Sequence, residues 1–374
     1  MNSVEIKLRT LTPIYTGGIE GKSERLHTQG MLGSMRWWYE AILRGQGVRA
    51  CDPSRHSCLY NPNSRLNVEE QLCGACLVFG ATGYARRFRL DVISQDAPAW
   101  PSREQALNIR PYGRTRGWYL NPGLVGMETL RLIGAETEVN RMLALLRFLE
   151  RYGSIGAKPQ HGHGVFRIEE PLHKQDDKNP LEFPAGYQAV GELPDLRVFT
   201  FFKFRFNPQS PTWWTQVPGL RELRSRREDW AIIEKQAVQG MVPVSPALKN
   251  HIRYGHQWSQ SVAVWLFGTL RGNERIRSKI SFSWAYRVDS GWEIRGWLYL
   301  PQDQTGRIFA DYAENTRLLN SVLSDPKSWL QALGLQQDYK VQGEVTLEPQ
   351  PVTWRPKTTE DVQRFLRDAL RMRN

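Results

Sequence analysis

The stretch Val139–Ile168, VNRMLALLRFLERYGSIGAKPQHGHGVFRI, decides how the chain is read. Val139, Met142, Leu143, Leu146 and Leu149 keep helical spacing, and Gly153 stands where a glycine stop is expected. Val165 to Ile168 then reads as a strand. The glycines between them follow a helix and enter a strand. Rossmann and P-loop glycines do the reverse, so both readings are excluded. Lacking a Cβ, Gly156, Gly162 and Gly164 can reach positive φ and let backbone amides approach a phosphate. Lys158, Gln160, His161 and His163 decorate this loop, which suits a sugar-phosphate backbone; the alternative is a merely tight connection.

Upstream, Val4, Ile6, Leu8 and Leu11 alternate and give a first strand. Residues 30–44 read as a helix with Leu32, Met35, Tyr39 and Ile42 on one face and Arg36, Glu40 and Arg44 along another. Residues 87–93 alternate again, as do those near Trp118 to Leu120. The expected order is strand, helix, strand, strand, helix, strand, the ferredoxin-like arrangement shared with RNA-recognition domains. Glu169 to Arg197 reads as a linker.

A second unit follows, with Phe202, Phe204 and Phe206 alternating. "FGATGYARRFR" (79–89) aligns without gaps to "FGTLRGNERIR" (267–277), and "RGW" recurs at 116–118 and 295–297. These echoes predict two copies of one fold. The expected class is α+β, with ferredoxin-like (RRM-like) domains at 1–190 and 197–374. Thr358 and Asp361 open a terminal helix with a packing face of Val362, Phe365, Leu366, Ala369 and Leu370.

The 374 residues carry a formal charge of +12, and 38 of the 50 basic residues are arginine. The length favours two domains, and no stretch approaches the roughly 18 apolar residues of a membrane span. The N-terminus lacks an apolar signal region, so the expected location is cytoplasmic. Guanidinium grips phosphate in a fork and stacks on bases, which makes a polyanion the first partner to consider. An ordinary solvated surface is the competing account of the charge.

Three further features carry chemistry. In "GMLGSMRWWYEAI" (30–42) small residues leave a helix N-terminus open to an anion, with Arg36 one turn in. Trp37 and Trp38 read as core rather than stacking platforms. Cys51, Cys58, Cys73 and Cys76 are all the cysteines of the chain. Cys73-x-x-Cys76 has the spacing of half a tetrahedral zinc site, and Cys51 with Cys58 could complete a structural zinc centre, with His56 as a substitute ligand. Reduced thiols in the core are the other reading. For metal-free RNA cleavage His27, His161 and His163 are the candidate acids and bases. No Ser-His-Asp order or clustered acidic metal site accompanies them.

The helix at 30–42, "CGACLVFGATGYARRFRL" (73–90), "TPIYTGG" (12–18) and the loop at 153–166 resemble RAMP proteins of the kind found in type III-B CRISPR (Cmr) effector complexes. The resemblance implies two ferredoxin-like domains forming a non-catalytic RNA-binding subunit. Such a subunit caps the filament at the crRNA 3′ end and helps capture target RNA in antiviral defence. It implies crRNA, target RNA and other Cmr subunits as partners, and no membrane. Matched by position, Arg36, Gly156, Lys158, Gln160, His161, Gly162 and Gly164 correspond to RNA-facing motifs. His163 shares the loop, and Arg86 and Arg87 are added from charge beside a strand. The second functional reading is a RAMP endoribonuclease that processes precursor crRNA with His161 or His163 as base.

Overall fold

The computed structural model describes residues 2–18, 23–55, 57–95, 99–100, 106–169, 179–184, 186, 190–269, 275–289, 291–301, 312–336, 341–348 and 350–371. His56 lies outside them. In the N-terminal half, strands β1 (Asn2–Thr10), β2 (Phe88–Gln95), β3 (Met127–Gly134) and β4 (Phe166–Ile168) form an antiparallel sheet in the order β2-β3-β1-β4. Ile6, Leu8, Leu90, Leu130 and Leu132 point to one face by the two-residue period of a strand. Helices α1 (Thr28–Gly45) and α3 (Glu136–Tyr152) cover that face with Met35, Tyr39, Ile42, Met142 and Leu146. The short helix α2 (Gly74–Phe79) follows the cysteine-bearing segment.

The third strand of this sheet is β3. Trp118–Leu120, expected in its place, instead pairs with Leu107–Ile109 in a separate two-stranded hairpin. Leu107, Ile109 and Leu120 carry that hairpin into the core of the C-terminal half. Both segments alternate, but only Met127–Gly134 is long enough to pair along all of β1 and β2.

In the C-terminal half, β5 (Phe199–Asn207), β6 (Met241–Val242), β7 (Ile280–Phe282), β8 (Ala285–Val288), β9 (Gly291–Tyr299) and β10 (Gln342–Glu348) form a sheet in the order β6-β8-β9-β5-β10, with β7 also on β9. Helices α4 (Ser245–Tyr254), α5 (Gln260–Phe267), α6 (Tyr312–Ser324) and α7 (Pro326–Ala332) accompany it, and α8 (Thr359–Leu370) ends the described chain. Counting the principal strands within each half, both sheets run second, third, first, fourth.

The echo at Phe79-Gly80 and Phe267-Gly268 falls at equivalent places. Each glycine ends a helix, at φ 87°, ψ 161° and φ 76°, ψ 168°. Each helix then receives an amide from the residue that leads into the next strand, Arg87 to Val78 O and Lys279 to Leu266 O. The ungapped alignment slips by four residues between these two points. The RGW echo does not hold: Arg116–Trp118 belongs to the hairpin and Arg295–Trp297 to β9.

The two cores meet. Phe199, Phe201 and Trp297 of the second sheet pack with Trp38 and Phe148 of the first unit. Helix α8 joins the same core through Val362, Leu366 and Ala369, with the capping box expected at Thr358 and Asp361. Arg295 donates to the carbonyls of Leu149, Glu150 and Gly153 at the end of α3, where a cation also complements the helix dipole. Trp38 is buried among side chains from both halves, so Trp38→Ala should cost about 3–5 kcal/mol. Urea unfolding followed by fluorescence should show the whole transition at lower denaturant; parental stability would contradict this packing.

Candidate RNA-facing site and four-cysteine centre

The glycine loop is a joint between the halves. On the N-terminal side Ala157 N donates to Tyr15 O at 2.7 Å, Gly164 N to Pro13 O at 2.9 Å and Gly156 N to Ser34 Oγ at 2.9 Å. From the C-terminal half, Trp284 Nε1 (2.8 Å) and Ser245 Oγ (2.9 Å) donate to His161 O, and Ser281 Oγ (2.5 Å) to Pro159 O. Gly156, Gly162 and Gly164 take φ of 80°, 89° and 94°, as expected of a glycine loop. A Cβ on Gly156 would stand 2.6 Å from Tyr15 O, and one on Gly162 would strike Trp284. Protein packing therefore accounts for these glycines, and many of the loop's amides are bonded within the protein.

Lys158 is half-buried at φ 62°, with Nζ 4.0 Å from the Tyr15 ring centroid, and burial lowers its pKa. Gln160 is partly exposed. His163 is buried, with Nε2 3.0 Å from Asn121 O, and burial brings its pKa down to about 4. His161 is brought down to about 3, by burial first and then by the charge of Lys249. Lys249 lies buried below the Trp118 ring at 5.4 Å, and burial lowers it to about 7. His27 sits at the start of α1, its amide donating to Thr16 Oγ1.

Arg86 and Arg87 are both exposed; Arg87 Nε donates to Tyr84 Oη at 3.0 Å and Arg86 Nε to Phe88 O at 2.8 Å. The uncovered face of the first sheet is largely self-paired: Arg131 with Glu5 at 2.7 Å, Arg89 with Asp91 at 2.8 Å, Arg9 with Glu169 at 2.5 Å. Among the described residues of its strands no aromatic ring points outward, so the base-stacking platform of an RNA-recognition sheet is missing there.

A different surface combines rings and guanidinium groups. Tyr112, Tyr119 and Tyr254 are 48%, 57% and 50% exposed, and they are the only strongly exposed aromatic side chains among the described residues. Arg114 stacks on Tyr254 at 3.7 Å. Arg110, Arg114 and Arg116 have no carboxylate partner among the described residues, whereas many other arginines are paired. Tyr112 holds φ 55°, ψ 37°, a conformation that costs a non-glycine residue about 1–2 kcal/mol. Helix α4 connects this surface to the loop, with Ser245 on His161 at one end and Tyr254 at the other. The arginine density between 110 and 116 was the only sequence signal for it.

The four cysteines do come together: their sulfurs all lie within 4.8 Å of one another. Cys51 Sγ and Cys76 Sγ are 3.5 Å apart, near the roughly 3.8 Å that Zn–S bonds of about 2.3 Å set in a tetrahedron. The amides of Cys51 and Cys73 point at Cys73 Sγ and Cys58 Sγ, both at 3.4 Å. These donors lower the charge density on thiolates, so the four residues can hold a metal ion. The Cys73 thiol is pushed down by the hydrogen bond from Cys76 and by the Cys51 amide. Arg36 is at this centre rather than at the open end of α1, with Nη2 3.1 Å from Cys76 Sγ and Nε 2.8 Å from Glu40.

Residues 7–167 match the family model of the RAMP superfamily. Among solved structures the chain is similar to Cmr1 from Pyrococcus furiosus in its apo crystal form, with 15% identity, TM-score 0.42, and 81% of this chain and 89% of that chain covered. It is also similar to a chain of a type III-B Cmr-beta complex bound to cognate target RNA and AMPPnP in the presence of ssDNA, at 10% identity, TM-score 0.36 and coverage of 79% and 93%. A type IV-B CRISPR complex chain gives 12% identity, TM-score 0.33 and coverage of 47% and 95%. No curated protein matches. No helix among the described residues is long and apolar enough to cross a membrane.

Because His161 and His163 are held neutral by burial, the unfolded chain binds more protons than the folded one between their folded pKa values of about 3 and 4 and about 6.5. Their contribution is fully present above that window and is lost as pH falls through it. Thermal melts should therefore drop from pH 7 to pH 5, and less steeply in His163→Asn; an unchanged slope would contradict the buried neutral ring.

Proposed function

We propose that this protein is a cytoplasmic, non-catalytic RNA-binding subunit of a type III-B CRISPR (Cmr) effector complex. It caps the crRNA 3′ end of the filament and helps capture target RNA in antiviral defence, beside other Cmr subunits. It is built from two tandem ferredoxin-like RAMP domains, 1–190 and 197–374; the shared strand order of the two sheets supports this duplication. The RAMP superfamily match over residues 7–167 and the motifs that resemble Cmr proteins support the assembly. Zinc is the metal that best suits four thiolates at this spacing, as a structural group.

The observation that carries RNA binding is the surface of Tyr112, Tyr119, Tyr254, Arg110, Arg114 and Arg116. Exposed rings give bases a stacking face, and unpaired guanidinium groups give phosphates a partner without reading sequence. Lys158, Gln160 and His161 lie at the other end of α4 and extend this path, with Gly156, Gly162, Gly164 and the buried His163 as its scaffold. Arg86 and Arg87, exposed on the first unit, are a separate and weaker phosphate contact in this reading. The endoribonuclease reading needs a histidine that exchanges protons near neutrality, and burial works against it at His161 and His163.

Binding to labelled single-stranded RNA without metal tests both readings. Tyr119→Ala should weaken binding by about 1–3 kcal/mol, and Arg114→Ala should lower the salt slope by about 0.7 per lost phosphate contact. Unchanged affinity and slope would sink the binding surface. RNA products that vanish in His161→Ala would replace it with the nuclease.

A further inference from the structure

The Arg36–Glu40–Arg44 ladder of α1 points away from solvent and toward the four-cysteine centre. The three residues recur at one-turn spacing, and Glu40 and Arg44 are buried. Glu40 receives Arg36 Nε at 2.8 Å and Arg44 Nη2 at 3.4 Å. Both arginines reach on to the ligand-bearing segments. Arg44 donates to Cys51 O at 2.8 Å and Ala50 O at 3.3 Å. Arg36 donates to Gly80 O at 3.1 Å, just past α2, and its Nη2 lies 3.1 Å from Cys76 Sγ and 3.9 Å from Cys51 Sγ.

Four thiolates around a divalent ion leave a net charge of about −2, and Cys73 and Cys76 are both buried. A buried charge of that size is costly unless a counter-charge and hydrogen bonds accompany it. We infer that Arg36 is the counter-charge and positioning residue of a tetrathiolate metal centre, held in place by Glu40, and not a ligand of RNA phosphate. Its guanidinium fork takes a sulfur and a backbone carbonyl together, which the point charge of lysine does not. The ladder thereby ties the metal centre to α1, whose other face is the core of the first unit. This inference rests on the zinc reading above.

The test uses the purified full-length chain, Arg36→Gln and Arg36→Lys. Zinc content is measured by elemental analysis after dialysis against a graded chelator, and the cobalt(II)-substituted forms are compared by their thiolate absorption. The parent should hold about one zinc per chain. Arg36→Gln should release it at roughly 10–100-fold lower chelator, the usual loss when a group hydrogen-bonded to a ligand is removed, with Arg36→Lys in between. RNA affinity of the zinc-loaded Arg36→Gln form should equal that of the parent. A parent without metal overturns the zinc reading and the inference with it. A parent with zinc and variants that retain it equally overturn the inference alone. Zinc retained but RNA affinity lost would return Arg36 to the phosphate role implied by the resemblance. If Arg36→Gln does not fold, the Arg36→Lys form decides by its cobalt spectrum: parental absorption and retention would contradict the role of the fork.

Discussion

The carbonyl of His161 accepts Trp284 Nε1 and Ser245 Oγ, and the arrangement of the two halves depends on that contact. For the carbonyl to face the C-terminal half, the loop must turn sharply at Gly156, Lys158, Gly162 and Gly164, all at positive φ. On its other side the loop adds backbone bonds to Pro13 and Tyr15 at the end of the first strand's continuation. The seam of Trp38, Phe199, Phe201 and Trp297 then closes behind it. A loop with the composition of a phosphate cradle thus serves first as a hinge pin between two sheets, and any RNA on it meets side chains more than amides.

Where the sequence was legible, one local period dominated. The faces of α1 and α3, β1, the glycine stop at Gly153 and the capping box at Thr358 follow from short-range spacing, and the structure has them. Trp118–Leu120 is a strand as expected, but its place in the first sheet was not legible, because an aromatic alternation looks the same whether it pairs in a central sheet or in a local hairpin. Met127–Gly134 alternates too, and only its length against β1 and β2 distinguishes it. The role of Arg36 was out of reach for a different reason. Its partner Cys76 is 40 positions away, and a helical arginine that follows an open N-terminus reads the same with or without it. Arg114 and Tyr254 meet across a still longer separation.

Pairing also divides the net charge of +12 into two kinds. Much of the arginine is consumed within the protein, as Arg44 and Arg197 are, or balanced strand by strand on the open sheet face. Charge of that kind contributes little to phosphate binding, because each contact would first have to break an ion pair. The arginines at 110–116 carry no such cost and stand among tyrosines. The four-cysteine centre and the proposed RNA surface lie on different elements, and each reading can fail without the other.

The most direct test is photo-crosslinking of 4-thiouridine-labelled single-stranded RNA to the full-length chain, with the sites mapped by mass spectrometry. Adducts should concentrate at Tyr112, Tyr119 and Tyr254, with weaker ones near Lys158. Adducts on the first sheet's open face around Lys7 and Arg131, or none at the three tyrosines, would contradict the account.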